Sequence, residues 1–512
     1  MIGSNGAATD PVGAVDAQAR LADLASVMGV YAPARFRGVA VRSLCSDSRA
    51  ATPGCLFFAV PGAERDGAAF AADAVARGAV AVVAARGAIR PGALPRAVPL
   101  LEVEDVRRGK ALAAHAFFDH PSTALACLGV TGTKGKTTTA TLVHSILAAA
   151  DERPTLLGTI EERVWGRPSR PSDHTTPDAL RIAELLAAAR DAGGRSAVLE
   201  VSSHALDQER TTGLAFRVAV FTQLAREHLD YHPTVEHYRA SKAKLFEALD
   251  DDAVAVVNAE DGNGLEMVAR ARARLVTFGL LPGAHVRAQA LALDTGGTRF
   301  RVEVDRAWGG AAFEVRTPLV GRHNLMNALA ACAAALALGI EPEAIARGVA
   351  DLASVRGRLE PVESGSGVDV LVDYAHTDDA LEKVLRLLRP IARGRLITVF
   401  GCGGDRDRTK RPRMGRVAAT LSDLVVVTSD NPRSEDPQAI VRDILAGLPA
   451  GREVEVELDR RRAIELALSR ALPGDAVLIA GKGHEAWQVV GSQRLPFDDR
   501  EIARELLCRR CG

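Results

Sequence analysis

The segment Gly129-Val130-Thr131-Gly132-Thr133-Lys134-Gly135-Lys136-Thr137-Thr138 has the parts of a phosphate cradle. Gly132 and Gly135 can turn backbone N–H groups inward, Lys136 supplies a point charge, and the Thr137 hydroxyl can meet a magnesium ion. A following helix adds its positive end. Thr133, Lys134 and Thr138 complete the loop, and Val130 stands where a strict P-loop has glycine. The competing reading is a glycine turn that happens to hold a lysine. An apolar run before the loop and a helical pattern after it, ATLVHSILAAA, favour nucleotide binding. The loop specifies phosphate but no reaction. No guanine-specifying NKxD sequence follows it.

Other side chains with chemical capacity sit at the ends of apolar runs or on helical patterns. Glu200 ends SAVLE, an oxygen ligand suited to magnesium. Asn324 and Asn327 stand three apart, on one helical face. The segment DNPR (430–433) offers Asp430, Asn431, Pro432 and Arg433, and Arg433 can hold a carboxylate through a bidentate pair.

The elements that must position these groups read as alternating strands and helices. CLFFAV (55–60) and AVAVVAA (79–85) belong to a first unit, with a plausible boundary at Pro121 and Ser122. ALACLGV (124–130), SAVLEV (196–201), VAVFTQL (218–224) and AVAVVN (253–258) form a second. From about 357, DVLVDYAH, RLITVFG, DLVVVTS and AVLIAGKG repeat the rhythm. This alternation predicts α/β units with mainly parallel sheets, whose ligand sites lie at the C-terminal strand ends.

With 512 residues, about two to four domains are expected. Lys+Arg and Asp+Glu both number 64, which argues against a general nucleic-acid binder. Seven dispersed cysteines do not form a secreted disulfide framework, and Cys508 and Cys511 lack the second pair that structural zinc needs. The N-terminal residues show no secretory pattern, and no apolar run approaches the roughly 20 residues that span a bilayer, so a cytoplasmic protein without membrane insertion is expected.

TGTKGKTTT, EVSSHALDQER (200–210), EHLDYH (227–232), YRASKAKLF (238–246), GRHNLMNALAA (321–331), GRLE (357–360), VDYAHT (372–377), GCGGDRDRTKRPRM (401–414), SDNPRSEDP (429–437) and GKGHE (481–485) occur in one order. Together they resemble the Mur ligases, on the branch that adds meso-diaminopimelate. The likeness runs from DSR at 47–49 to FDDRE at 497–501. It implies a three-domain Mur ligase architecture. After a disordered lead-in (1–15) come a UDP-substrate-binding domain (16–122), a central P-loop ATPase domain (123–356) and a C-terminal Rossmann-like amino-acid-binding domain (357–512). The implied activity is ATP- and Mg2+-dependent joining of meso-diaminopimelate to UDP-MurNAc-L-Ala-D-Glu, through an acyl phosphate, in peptidoglycan synthesis by a monomer. A lysine-adding member of the family is the nearest alternative. A folylpolyglutamate synthase would share the ATPase layout without DNPR and GKGHE, and a P-loop regulatory protein would hydrolyse ATP unaided.

The resemblance also implies roles for individual residues. Lys136, Glu200, His228 and Lys242 would be catalytic, with Thr137, Glu200, His228 and a carbamylated Lys242 near the metal. Besides Gly132 to Thr138, Asn324, Asn327, Arg358, Asp373 and His376 would bind ATP. Ser46, Ser48, Ala63, Glu64 and Arg65 would lie near uridine. Thr175, Thr176, Ser202, Gln208 and Arg210 would meet the diphosphate, sugar and peptide. Arg406, Asp430, Asn431, Pro432, Arg433, Gly481 and Glu485 would hold meso-diaminopimelate, whose extra carboxylate distinguishes it from lysine. Glu227, His174 and Asp378 depart from the residues usual at those places in the family.

Overall fold

The computed structural model describes residues 18–62, 65–228, 231–294, 297–363, 367–452 and 454–511. They divide into two compact units. One comprises the described residues up to Gln289, with Phe300–Val315 and Met326–Asp351; the other comprises the described residues of Ala290–Arg299, Arg316–Leu325 and those from Leu352 onward.

The first unit opens with a four-stranded parallel sheet in chain order: Ser43–Cys45, Cys55–Phe58, Ala81–Ala85 and Leu100–Val103. Leu56, Phe58 and Val83 bury against Leu21, Leu24 and Val106 on one face, while Cys55, Phe57 and Val82 pack with Ala71 and Ala74 on the other. Burial on both faces explains why these strands read as unbroken apolar runs. Cys45 and Cys55 form a disulfide between neighbouring strands; Cys127, Cys332, Cys402 and Cys508 are free. A single bridge inside one small sheet is not a framework.

An eleven-stranded sheet follows. At its centre Ala126–Thr131 lies between Ser196–Glu200 and Phe216–Phe221, all parallel. Pro154–Leu157 extends one side, and Val254–Asn258 and Arg274–Gly279 extend the other. Register pairs Glu200 with Val130 and Phe221 with Thr131, so three strands end level with the phosphate loop. Leu199, Ala219, Phe221 and Val257 pack with Ile182, Leu186, Leu245 and Phe246 beneath that edge.

The second unit holds a six-stranded sheet in the order Glu360–Val362, Asp369–Asp373, Ala476–Ala480, Leu396–Phe400, Leu424–Val427 and Glu455–Val456. Only the first pair is antiparallel. Ile464, Leu468, Ile502 and Leu506 cover one face; Leu381, Leu385, Met414, Ile440 and Ile444 cover the other. Asp373, the loop after Phe400, DNPR and GKGHE all leave the C-terminal ends of parallel strands. Beneath them Arg460 and Asp499 form an ion pair with both side chains 0% exposed, and Arg460 also donates to the Ala480 carbonyl at 3.0 Å. A two-stranded hairpin, Trp487–Val490 with Gln493–Pro496, follows GKGHE. Among the described residues no helix is long and apolar enough to cross a membrane.

Candidate active site

The phosphate loop joins strand Ala126–Thr131 to helix Lys136–Ala149. Gly132 has φ +148° and Gly135 +88°; a Cβ there would lie 2.0 Å from Thr222 Oγ1 and 2.5 Å from Asn327 Oδ1, respectively. Only glycine fits both the dihedrals and the space. Thr222 Oγ1 donates to the Lys134 carbonyl at 2.7 Å, and Thr133 N–H donates to the Gln223 carbonyl at 2.7 Å, tying the loop to the end of the neighbouring strand. Val130 is a fully buried strand residue paired with Glu200, a place that suits a β-branched side chain better than glycine.

Two lysines converge on one carbonyl. Lys136 Nζ donates to Gly132 O at 2.9 Å and to Thr133 O at 3.0 Å, and Lys242 Nζ donates to Gly132 O at 2.9 Å. Lys242 lies on helix Val235–Glu247, whose first turn is capped by the Thr234 side chain. One turn earlier, the Tyr238 ring lies 4.7 Å from Lys242 Nζ, and its hydroxyl sits 3.0 Å from Thr133 Oγ1. Lys242 is 1% exposed. Burial, and then the Lys136 charge, push its amine well below the ordinary lysine range. Lys244 instead reaches toward Asp207 and Glu209 with its side chain 43% exposed, an ordinary solvated helix lysine.

Glu200 is buried at the end of the neighbouring strand. Its Oε2 accepts from Thr137 Oγ1 at 2.8 Å and Thr159 Oγ1 at 3.0 Å, and its Oε1 accepts from Thr159 N–H at 2.8 Å. Thr137 and Glu200 thus present adjacent hard oxygens. That pair fits magnesium, which keeps several waters and takes phosphate oxygens as ligands, so it needs few from protein. Among the described residues no three His, Cys, Asp or Glu side chains are grouped to hold a metal by themselves. His228 has φ +57°, and its ring lies 5.0 Å from His204 and 6.0 Å from Tyr238.

Several hydroxyls and Arg210 gather around Glu200 and the strand that carries it. Thr175 Oγ1 lies 3.1 Å from Thr159 Oγ1, and Thr176 Oγ1 donates to the Glu200 carbonyl at 2.8 Å while accepting from Ser202 N–H at 3.0 Å. Arg210 donates to the Thr176 carbonyl at 2.7 Å and to Gln208 Oε1 at 2.8 Å. Asn327 Oδ1 accepts from Thr139 at 3.5 Å. Ser46 and Ser48 follow strand Ser43–Cys45, with Asp47 between them capping the turn Ser48–Ala50. Arg65 is exposed, and Ala63 and Glu64 lie outside the described residues.

In the second unit, Asn324 donates to the Val320 carbonyl at 2.9 Å. Asp373 accepts from Leu359 N–H at 2.8 Å, His376 Nδ1 lies 2.8 Å from the Tyr374 carbonyl, and the Arg358 guanidinium sits 5.2 Å over the Tyr374 ring. Asn431 Nδ2 donates to Glu485 at 2.8 Å. Arg433 adopts φ +51°, and its Nη1 donates to the Gly404 carbonyl, not to a carboxylate. A Cβ at Gly403 would lie 3.0 Å from Arg433 Nη1 and 3.7 Å from Arg406 Cγ, so both arginines flank that glycine. Pro432 is buried between Asn431 and Arg433, and a Cβ at Gly481 would lie 2.8 Å from Asp430 Oδ2.

Sequence reasoning missed Thr159, Thr222 and Lys482. A threonine after a strand carries no signal of its own, and Lys482 was legible only as part of GKGHE. Tyr238 was present in YRASKAKLF, but only the fold shows it spanning Thr133 and Lys242.

Residues 40–118 match the Mur ligase family catalytic domain, 130–335 the Mur ligase middle domain and 357–483 the Mur ligase glutamate ligase domain. A UDP-N-acetylmuramoyl-L-alanyl-D-glutamate–2,6-diaminopimelate ligase of Gloeobacter violaceus is 49% identical, covering 92% of this chain and 94% of that protein. The protein of the same name from Solibacter usitatus is 45% identical, covering 91% and 93%. A solved structure of a ligase with that name superposes with a TM-score of 0.70 at 32% identity, covering 96% of this chain and all of that one. With such likeness along almost its full length, the chain belongs to the Mur ligase family.

Proposed function

We propose that this protein uses ATP to join meso-diaminopimelate to the D-glutamyl γ-carboxylate of UDP-N-acetylmuramoyl-L-alanyl-D-glutamate. A carboxylate oxygen attacks the γ-phosphorus, ADP leaves, and an acyl phosphate forms. The amine then attacks the carbonyl carbon, loses a proton and expels phosphate, leaving an amide. Bringing two anions together requires fixed positive charge and geometry. The observation that carries the reading is the convergence of Lys136 and Lys242 on the Gly132 carbonyl, in the same loop whose Thr137 hydroxyl bonds to Glu200. Thr137 and Glu200 would hold magnesium, which when bound neutralises charge on the phosphates. A neutral, buried Lys242 amine is the form that reacts with CO2, and its carbamate would place an anion beside the same loop.

Thr175, Thr176, Ser202, Gln208 and Arg210 would receive the diphosphate, sugar and peptide, with Ser46, Ser48 and Arg65 nearer the uridine. Asn324, Asn327, Arg358, Asp373 and His376 would meet ATP, and His228 would join the metal region. Arg433 with Arg406 would take the distal carboxylate of meso-diaminopimelate, and Asp430, Asn431 and Glu485 its ammonium. Three domains, 16–122, 123–356 and 357–512, would divide these tasks, in line with the three family matches.

The test is product mass after incubating the protein with the UDP-dipeptide, ATP, Mg2+ and either meso-diaminopimelate or L-lysine. The diaminopimelate tripeptide is expected. A lysine tripeptide formed in preference would overturn the substrate assignment.

A further inference from the structure

Lys482 is 0% exposed, yet it bonds to two residues proposed to hold the amino acid. Its Nζ donates to Asn431 Oδ1 at 3.1 Å, to Glu485 Oε2 at 3.2 Å and to the Trp487 carbonyl. An ammonium has three N–H donors, and each is matched to one acceptor. Those acceptors come from three separate segments: the loop after strand Leu424–Val427, the GKGHE turn and the hairpin. Glycines stand on either side, with φ +118° at Gly481. Gly483 has φ +53°, and a Cβ there would lie 2.7 Å from the Tyr374 Cβ.

The consequences reach the proposed ligands. Asn431 Oδ1 accepts from both Lys482 and Val489 N–H, which forces Nδ2 toward Glu485. Both bonds to Glu485 fall on Oε2, and among the described residues Oε1 accepts none. The hairpin holds the rest of DNPR: Gln488 Nε2 donates to the Asp430 carbonyl at 2.7 Å, and Arg433 exchanges backbone bonds with Val489 and Gly491 at 3.0 and 2.8 Å.

We propose that Lys482 is a positioning residue for amino-acid selection, locking Asn431 and Glu485 and tying the hairpin against the Asp430–Arg433 segment. The assignment rests on the amino-acid pocket proposed above. Replacing the ammonium with a thioether, Lys482→Met, frees the Asn431 amide and removes one donor from Glu485. The KM for meso-diaminopimelate should rise about 10- to 100-fold, the scale of lost bonds to a charged group. The KM values for ATP and the UDP-dipeptide should stay within about twofold. Acyl-phosphate formation, trapped with hydroxylamine in place of the amino acid, should be equally unaffected. Gln488→Ala, on the partly exposed hairpin strand, loosens the same tether and should raise the same KM about threefold.

An unchanged diaminopimelate KM in Lys482→Met, or a parallel loss of hydroxamate formation, would overturn the proposal. If Lys482→Met does not fold, an unchanged KM in Gln488→Ala overturns it and a raised one supports it. If the unaltered protein joins lysine instead, the substrate reading fails by itself, and the same comparisons made with lysine still decide the role of Lys482.

Discussion

Lys136 and Lys242 donate to the same carbonyl oxygen, and two ammonium groups so placed repel one another in a site shielded from water. Lys242, the more buried, yields its proton more readily. Native mass measurement should therefore find one CO2 adduct on the protein that Lys242→Arg lacks, and activity should fall when dissolved CO2 is stripped. Lys136 keeps its charge, proposed above to meet phosphate, so Lys136→Ala should lower kcat by about a thousandfold or more, the scale of losing a fixed transition-state charge. Arg433→Ala should raise the KM for meso-diaminopimelate about tenfold or more while leaving that for ATP unchanged, as steady-state kinetics would show. At this scale the sequence was legible wherever a residue type recurs at a meaningful spacing, as in TGTKGKT, and the fold added partners that spacing cannot show. Thr159 contacts Glu200 through both its backbone and its hydroxyl from forty-one positions away, a closeness set by strand order alone.

The elements do their work through level strand ends. Parallel register brings Val130, Glu200 and Phe221 to one edge, and the phosphate loop crosses it in a path that admits no side chain at two glycines. Gly132→Ala would force a Cβ to 2.0 Å from Thr222 Oγ1. It should lower thermal stability, by about 1–3 kcal/mol if the loop strains in place, and abolish nucleotide binding measured by calorimetry. The buried strands were legible because burial on both faces writes them as continuous apolar runs. The hairpin was not. Gln493–Pro496 is exposed throughout, so it carries no alternation, and its Gly491-Ser492 turn was the one available sign.

Across the molecule, three histidines withdrawn from solvent make stability depend on acid. Burial holds His115 and His144 in the first unit, and the half-buried His484 in the second, at about 4 against an ordinary 6.5. Between those values the unfolded chain binds protons that the folded chain refuses, so stability rises with pH across that window. The contribution is fully present above 6.5 and is lost as pH falls toward 4. Urea midpoints should fall steadily from pH 7 to pH 4.5, in probes of either unit. The α/β class and the long-range order of motifs were legible at this scale because most of the motifs follow strand ends, while YRASKAKLF and GRHNLMNALAA lie on helices. The two compact units were not, since contiguity in space includes segments such as 290–299 and 316–325 that lie far from the rest of their unit in sequence.

The central claim is that phosphate passes through the substrate's own carboxylate. The direct measurement labels both oxygens of the D-glutamyl γ-carboxylate with heavy oxygen and weighs the inorganic phosphate released as the amide forms. One labelled oxygen per phosphate is the predicted result, because the bridging atom leaves with phosphorus. Unlabelled phosphate accompanying a full yield of amide would contradict the account.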